Sequence, residues 1–189
     1  MKVGVLALQG AFREHQDMLA RLNVESTQVR KPEQLEGISA LIIPGGESTT
    51  IGKLLCDFNL FEPISKLGKE GLPIFGTCAG LIVLAKDIAG SNQPRLGLMD
   101  ITVERNAFGR QVDSFEADLT VPAIGEHPFR AVFIRAPYIL SVGSSVEVLA
   151  SFKDKIVFAR QGRLLAAAFH PELTKDKRIH RYFLDNCIK

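Results

Sequence analysis

The stretch PIFGTCAGLIVL at residues 73–84 decides the fold class of this chain. Pro73 to Gly76 is a short apolar run typical of a buried strand, and the residues from Ala79 to Lys86 are predicted to form a helix. Between them, Gly76-Thr77-Cys78-Ala79-Gly80 places a cysteine on the turn from strand to helix, with small residues on both sides. A strand, a tight turn and a helix in this order indicate an α/β protein with parallel strands.

The segments on both sides continue the alternation of strand and helix. In the first half, the predicted strands are Val3 to Leu8, Val24 to Val29 and Ala40 to Ile43, and the predicted helices are Phe12 to Leu22, Thr49 to Phe58 and Pro63 to Glu70. In the second half, the predicted strands are Ile101 to Glu104, Ser114 to Val121, Ala131 to Ile134, Val146 to Phe152, Ile156 to Arg160 and Leu164 to Phe169, before a last helix from Lys175 to Cys187. We predict one α/β domain over residues 1–189: a three-layer, open, mostly parallel sheet flanked by helices, with an added antiparallel part.

The bulk composition excludes several classes of protein. The chain has 189 residues, which suit one domain, and its formal net charge of +2 is too balanced for a protein that binds nucleic acid or a membrane surface. No apolar run approaches the roughly 18 residues of a membrane span. Cys56, Cys78 and Cys187 form neither a metal-binding pattern nor a disulfide framework, which favours a reducing cytoplasm.

The turn around Cys78 has the pattern of a nucleophile elbow with cysteine in place of serine. The start of a helix favours a thiolate, and the N–H of Ala79 is predicted to point to where an oxyanion would form. The alternative is a buried cysteine in a glycine-rich turn that acts only as a small apolar side chain.

A second motif, Phe169-His170-Pro171-Glu172, ends the last predicted strand. Pro171 favours an extended conformation for His170, and residues two apart in an extended segment point to the same side. His170 could then act as the base that activates Cys78, with Glu172 orienting the imidazole. The alternative is a solvated histidine and glutamate in a surface loop. The two motifs together have the chain order of nucleophile, base and orienting acid.

The segment Pro44 to Thr49, with the sequence PGGEST, also follows a predicted strand and opens a helix. Its glycines permit close approach of a ligand, and its amides could bind an oxyanion or a carboxylate. It is not a P-loop, and a simple helix-capping turn is the alternative. Arg105 and Arg135 could reach the same end of the sheet and bind a carboxylate, although surface arginines are the default interpretation.

The remaining polar candidates receive no functional role. Cys56 is predicted to lie on a buried helix face, and Cys187 lies in the last helix. His15, His127 and His180 are predicted to be solvated because their sequence neighbours are polar.

Taken together, the motifs resemble the class I glutamine amidotransferases. The chain from Val3 to the final helix is most similar to the family of glutaminase subunits of pyridoxal 5′-phosphate synthase. The cysteine turn and the His-Pro-Glu motif are common to amidotransferases in general. The runs Gly46-Glu47-Ser48-Thr49-Thr50, Glu104-Arg105-Asn106 and Ile134-Arg135-Ala136-Pro137 are more specific to the closer family. All the stretches behind the resemblance are Leu8-Gln9-Gly10, Pro44-Gly45-Gly46-Glu47-Ser48-Thr49-Thr50, Gly76-Thr77-Cys78-Ala79-Gly80-Leu81, Val103-Glu104-Arg105-Asn106, Phe108-Gly109-Arg110-Gln111, Ser114-Phe115-Glu116, Phe133-Ile134-Arg135-Ala136-Pro137 and His170-Pro171-Glu172-Leu173.

This resemblance implies a role for each matching residue. Cys78 would attack the side-chain amide of L-glutamine, with His170 and Glu172 completing the triad and the backbone N–H groups of Gly46 and Ala79 holding the oxyanion. The implied glutamine site consists of Gly46, Glu47, Ser48, Arg105, Ile134 and Arg135. Gln9 and Gly10 would lie near the synthase subunit and couple docking to glutaminase activity.

The resemblance also implies a partner and no cofactor. Ammonia would pass to a synthase subunit within a large hetero-oligomer, and no metal or organic cofactor is expected because acyl transfer needs only a nucleophile, a base and oxyanion donors. Two enzyme alternatives are a glutaminase subunit of another amidotransferase and a different cysteine hydrolase on the same fold. A third alternative is a non-catalytic scaffold subunit, which loss of Cys78 or His170 would have favoured.

Overall fold

A computed structural model describes residues 1–105 and 114–188 of the chain and confirms the α/β fold class. The helices are α1 (Phe12–Arg21), α2 (Ser48–Asp57), α3 (Phe61–Lys69), α4 (Ala79–Leu84) and α5 (Arg178–Asn186). The strands are β1 (Lys2–Leu6), β2 (Glu25–Val29), β3 (Ala40–Ile43), β4 (Ile74–Thr77), β5 (Ala85–Ile88), β6 (Met99–Glu104), β7 (Ser114–Leu119), β8 (Phe129–Ile134), β9 (Tyr138–Val142), β10 (Glu147–Phe152), β11 (Lys155–Gln161) and β12 (Leu164–Ala167). The quoted stretch from Phe108 to Gln111 lies outside the described residues.

The main sheet has the strand order β2-β1-β3-β4-β12-β11-β9-β6-β5, and β10 pairs with β11. The first five strands are parallel, whereas β11 runs antiparallel to β12, β9 and β10. Strands β7 and β8 form a separate two-stranded antiparallel sheet. The prediction of a mostly parallel sheet with an added antiparallel part is therefore confirmed.

The parallel strands are buried because they are continuously apolar. All four residues of β3 have no exposed surface, and neither do Ile74 and Phe75 of β4. Helices cover strands of this kind by turning apolar residues inwards, as Met18 and Leu19 of α1 do. None of the helices in the described ranges is long and apolar enough to cross a membrane.

Two elements differ from the sequence prediction. The helix predicted from Ala79 to Lys86 ends at Leu84, and residues 85–88 form β5 parallel to β6. The backbone N–H groups of Leu96 and Leu98 donate to the carbonyls of Val83 and Leu84, so a neighbouring loop replaces the next turn of the helix. The sequence also does not predict strand β9, because only one of its five residues is buried and its alternation of apolar and polar residues is weak.

Candidate active site

Loops at the carboxyl ends of β1, β3, β4 and β12 surround a pocket of about 650 Å³. These four strands are consecutive in the sheet, so the loops that follow them lie side by side. Every predicted site residue except Glu172 lines the pocket: Gln9, Gly10, Gly46, Glu47, Ser48, Cys78, Ala79, Arg105, Ile134, Arg135 and His170.

Cys78 occupies a strained turn between β4 and α4. Its backbone angles, φ of 48° and ψ of −102°, lie outside the regions that residues other than glycine prefer. The turn is held by the Cys78 N–H, which donates to the Ala167 carbonyl at 2.8 Å. A Cβ on Gly80 would collide with the backbone of Ile43, so glycine is required two residues after the cysteine. The sulfur lies 3.7 Å from the Ile134 carbonyl oxygen and is only slightly exposed.

His170 follows β12 and is fixed at both its backbone and its ring. Its N–H donates to the Val132 carbonyl at 2.8 Å, and its Nδ1 lies 2.7 Å from Oε1 of Glu172. The predicted extended segment is wrong in detail, because Pro171–Leu173 forms a 3₁₀ turn. This turn brings His170 and Glu172 together over two residues, which is the contact that the motif predicts.

The pKa of His170 differs strongly from that of an ordinary histidine. Burial alone lowers it, but hydrogen bonds with Cys78 and Glu172, and the negative charges of these two groups, raise the pKa to about 10. With Nδ1 engaged by Glu172, the other ring nitrogen is left for the sulfur of Cys78. His170 is therefore a cation at neutral pH.

The glycine turn after β3 packs directly against these side chains. A Cβ on Gly45 would collide with the His170 ring and lie 3.3 Å from Cβ of Cys78. The side chain of Gln9 covers Gly46, and Gln9 Oε1 accepts a hydrogen bond from the Glu47 N–H at 2.8 Å. This arrangement places the backbone of the turn beside the sulfur, where an oxyanion donor is needed.

Gly10 locks the loop after β1 onto the glycine turn. Its φ of 96° is in the region that favours glycine, and a Cβ there would collide with the Gly45 carbonyl. The same carbonyl accepts a hydrogen bond from the Ala11 N–H at 3.1 Å. The loop of Gln9 and Gly10 and the turn of Gly45 and Gly46 are therefore coupled through backbone contact.

Ser48 and Arg105, which line the pocket, both contact the buried amide of Gln93, a residue that the sequence does not indicate. Gln93 Oε1 accepts hydrogen bonds from Arg105 Nη1 at 2.8 Å and from the Ser48 hydroxyl at 3.4 Å. Arg105 is thereby held at the pocket as a cation that suits a carboxylate. Glu47 instead uses its carboxylate to cap α2 through the Thr50 N–H at 3.0 Å. No local sequence signal identifies Gln93.

Three of the lesser predictions are wrong. His15 and His180 have no exposed surface, whereas the prediction makes them solvated. Helical spacing could have revealed this, because His15 lies on the same face of α1 as Met18 and Leu19. Cys56 is exposed, although it is predicted to be buried, because the buried face of α2 is set by residues 48, 51, 52 and 55. His127 is exposed, as predicted.

Known proteins match the sequence of this chain over nearly its whole length. The sequence model of the SNO glutamine amidotransferase family matches residues 5–189. The chain is 77% identical to the pyridoxal 5′-phosphate synthase subunit PdxT of Pelotomaculum thermopropionicum, over 100% of this chain and 96% of that protein. It is 66% identical to the PdxT subunit of Carboxydothermus hydrogenoformans, over 100% of this chain and 99% of that one.

Solved structures of other proteins have a similar fold. A crystal structure described as a glutamine amidotransferase superposes with a TM-score of 0.93 at 58% identity, covering 98% of each chain. The structure of PurLQS from Thermotoga maritima superposes with a TM-score of 0.74 at 16% identity, covering 97% of each chain. The second likeness concerns the fold alone.

Proposed function

Since this chain belongs to the SNO glutamine amidotransferase family, we propose that it hydrolyses L-glutamine to L-glutamate and ammonia as the glutaminase subunit of a pyridoxal 5′-phosphate synthase. The observation that carries the proposal is that Cys78 and His170 line one pocket, with His170 Nδ1 2.7 Å from Oε1 of Glu172. Cys78 is also among the groups that raise the pKa of His170. The relatives named PdxT support the assignment to this synthase.

The mechanism uses Cys78, His170 and Glu172 as a triad. The thiolate attacks the amide carbon of glutamine, and the N–H groups of Gly46 and Ala79 hold the oxyanion that forms. His170 transfers its proton to the departing ammonia, which leaves a glutamyl thioester on the sulfur. His170 then takes a proton from water, whose attack releases glutamate and restores the thiolate. Glu172 keeps the imidazole oriented throughout.

The remaining pocket residues bind the amino-acid end of glutamine. Arg105 meets the α-carboxylate, since its guanidinium is held by Gln93 and presents a planar donor pair. Ser48 and the backbone of Gly46 and Glu47 follow the substrate chain. Ile134 and Arg135 are exposed residues of the pocket lining, and the Ile134 carbonyl oxygen lies 3.7 Å from the sulfur of Cys78.

A partner must receive the ammonia, because free ammonia is mostly protonated near neutral pH and is then a poor nucleophile. A docked synthase subunit in a large hetero-oligomer would supply a shielded path. Gln9 and Gly10 would report docking to the site, because their loop contacts the glycine turn beside the sulfur. We assign the protein to the cytoplasm, since Cys78 must stay reduced and all three cysteines are free.

Ammonia release from glutamine in the presence of the synthase subunit tests the proposal. Cys78→Ala should abolish turnover, and the matched control Cys56→Ala, at an exposed cysteine, should retain it. Turnover that persists in Cys78→Ala would refute the nucleophile.

A labelling experiment distinguishes glutaminase from other cysteine hydrolases. A glutamine-analogue electrophile should modify Cys78 and leave Cys56 and Cys187 free, and excess glutamine should protect the site. Modification that glutamine does not slow would favour a cysteine hydrolase of another specificity.

A further inference from the structure

Behind the pocket lies a fully buried polar cluster, which consists of His15, Thr77, Glu172 and His180. His15 Nδ1 lies 2.9 Å from His180 Nε2, and His15 Nε2 lies 3.1 Å from Thr77 Oγ1 and 3.5 Å from Glu172 Oε2. None of the four side chains is more than slightly exposed. The proposed mechanism uses only Glu172 of this cluster.

The contacts determine which nitrogen carries each proton. A lone pair on His15 Nε2 would face the negative carboxylate of Glu172, so Nε2 must carry the hydrogen. His15 Nδ1 is then an acceptor, and His180 must donate to it from Nε2. The nitrogen of His180 that has no hydrogen-bond partner among the described residues is then Nδ1, which carries no proton. No buried N–H of the two rings is therefore left without an acceptor.

The Nε2–H of His15 faces two oxygen atoms. Thr77 Oγ1 at 3.1 Å accepts its hydrogen bond, and that oxygen also accepts from the Gly45 N–H at 3.1 Å. Glu172 Oε2 at 3.5 Å is beyond a good hydrogen bond and has no hydrogen-bond partner among the described residues. Contacts of this kind can tighten in the substrate complex.

The two histidines of the cluster are neutral. Burial lowers the pKa of His15 well below its ordinary value, and the neighbouring imidazoles of His180 and His170 lower it further. Burial alone lowers the pKa of His180 to about 3. The titratable groups that face His15 are His180 from α5 and His170 and Glu172 after β12.

We propose that His15 is a positioning residue for the triad: its Nε2–H is bonded to Thr77 and lies 3.5 Å from Oε2 of Glu172, which keeps that oxygen turned to His15 and Oε1 turned to His170, and His180 fixes the tautomer of His15. Glu172 thus lies between two imidazoles, one in the pocket and one behind it. The cluster also joins Glu172 to Thr77, the residue before the nucleophile, and to the glycine turn. This inference rests on the proposed glutaminase function.

The test compares two substitutions of His15 in the full chain with its synthase partner. Glutamine at this position can place an N–H near the original Nε2, whereas methionine fills a similar volume without a donor. His15→Met should lower kcat about 10-fold with KM nearly unchanged, and His15→Gln should restore most of the loss. His127→Gln, at an exposed histidine, is the matched control.

The pH dependence of Cys78 alkylation by iodoacetamide separates positioning from packing. In His15→Met, a less constrained Glu172 supports the His170 cation less well, so the midpoint of alkylation should rise by about one pH unit. A variant that is only less stable would keep the midpoint of the wild type. Equal losses in His15→Met and His15→Gln, or an unchanged midpoint, would overturn the proposal.

His180→Phe keeps the test decisive should His15→Met fail to fold. It leaves His15 in place and removes the donor that sets its tautomer, so kcat should fall and the alkylation midpoint should rise, each by less than in His15→Met. An unchanged midpoint in a folded His180→Phe protein would equally overturn the proposal. Absence of glutaminase activity in the wild-type complex would instead refute the proposed function.

Discussion

The two sides of Glu172 contain buried histidines whose pKa values move in opposite directions. In the pocket, the pKa of His170 rises to about 10, because two anionic partners outweigh the effect of burial. Behind Glu172, the pKa of His180 falls to about 3, because burial acts there without a charged partner. The comparison teaches that burial does not decide the charge of a histidine; the atoms that its ring nitrogens meet decide it.

Removing the pocket histidine tests the charged side of the comparison most strongly. In His170→Asn the sulfur loses its base and its cation, so glutaminase activity should fall by about 10³-fold or more. Steady-state ammonia release with the synthase subunit measures this loss, and His127→Asn provides a control. A loss below tenfold would mean that His170 is not the base.

Neutralising Glu172 tests what raises the pKa of His170. In Glu172→Gln the imidazole keeps a hydrogen-bond partner but loses the negative charge, so activity should fall by about 10²-fold and the His170 pKa should drop. The rate of Cys78 alkylation near pH 6 should fall with it. An unchanged alkylation profile would show that Cys78 alone sustains the cation.

Acid unfolding tests the neutral histidines behind Glu172. The pKa of His180 is about 3 in the folded protein, against an ordinary value of 6.5. Below about pH 6.5 this histidine therefore binds a proton in the unfolded chain but not in the folded one. The free energy of unfolding falls as a result while the pH drops towards 3. One such histidine lowers the free energy of unfolding by about 2 kcal/mol when the pH falls from 7 to 5. His180→Phe should remove that part of the slope in urea titrations at the two pH values, whereas His127→Ala should retain it.

His170 contributes with the opposite sign. Its raised pKa gives stability that is complete below about pH 6.5 and is lost as the pH rises towards 10. The wild-type protein should therefore lose stability on both sides of neutrality, with different histidines responsible for each side.

Gln93 is a neutral buried group that, like Glu172, holds a cation at the pocket, in this case the guanidinium of Arg105. Gln93→Leu removes the acceptor that holds Arg105 at 2.8 Å, so KM for glutamine should rise about 10-fold while kcat changes little. Gln28→Leu, on the edge strand β2, is the control. A change confined to kcat would place Gln93 in the chemical step instead.

The pocket side of this comparison could be predicted from sequence because its signals are local. The turn around Cys78 and the His170-Pro171-Glu172 motif each carry their chemistry within five residues, and each follows an apolar strand. The alternation of strands and helices then places both at one end of the sheet. The roles in the site stay predictions that the experiments above must test.

The rear side could not be predicted in the same way. His15 lies on the apolar face of α1, and His180 lies on the apolar face of α5 with Phe183 and Leu184, so spacing alone indicates burial. What spacing cannot indicate is their contact with each other across 165 residues of chain. Gln93 has no local signal at all, because its partners Ser48 and Arg105 come from distant segments.

The amino-acid sequence by itself determined most of the strands and helices, the strained cysteine turn and the short histidine–glutamate motif, since each depends on residues that are neighbours along the chain. Only the tertiary structure decided which histidine is charged and which are neutral. A pKa depends on the solvent and the charges within a few ångströms, and in this protein those neighbours come from strands and helices that only folding brings together.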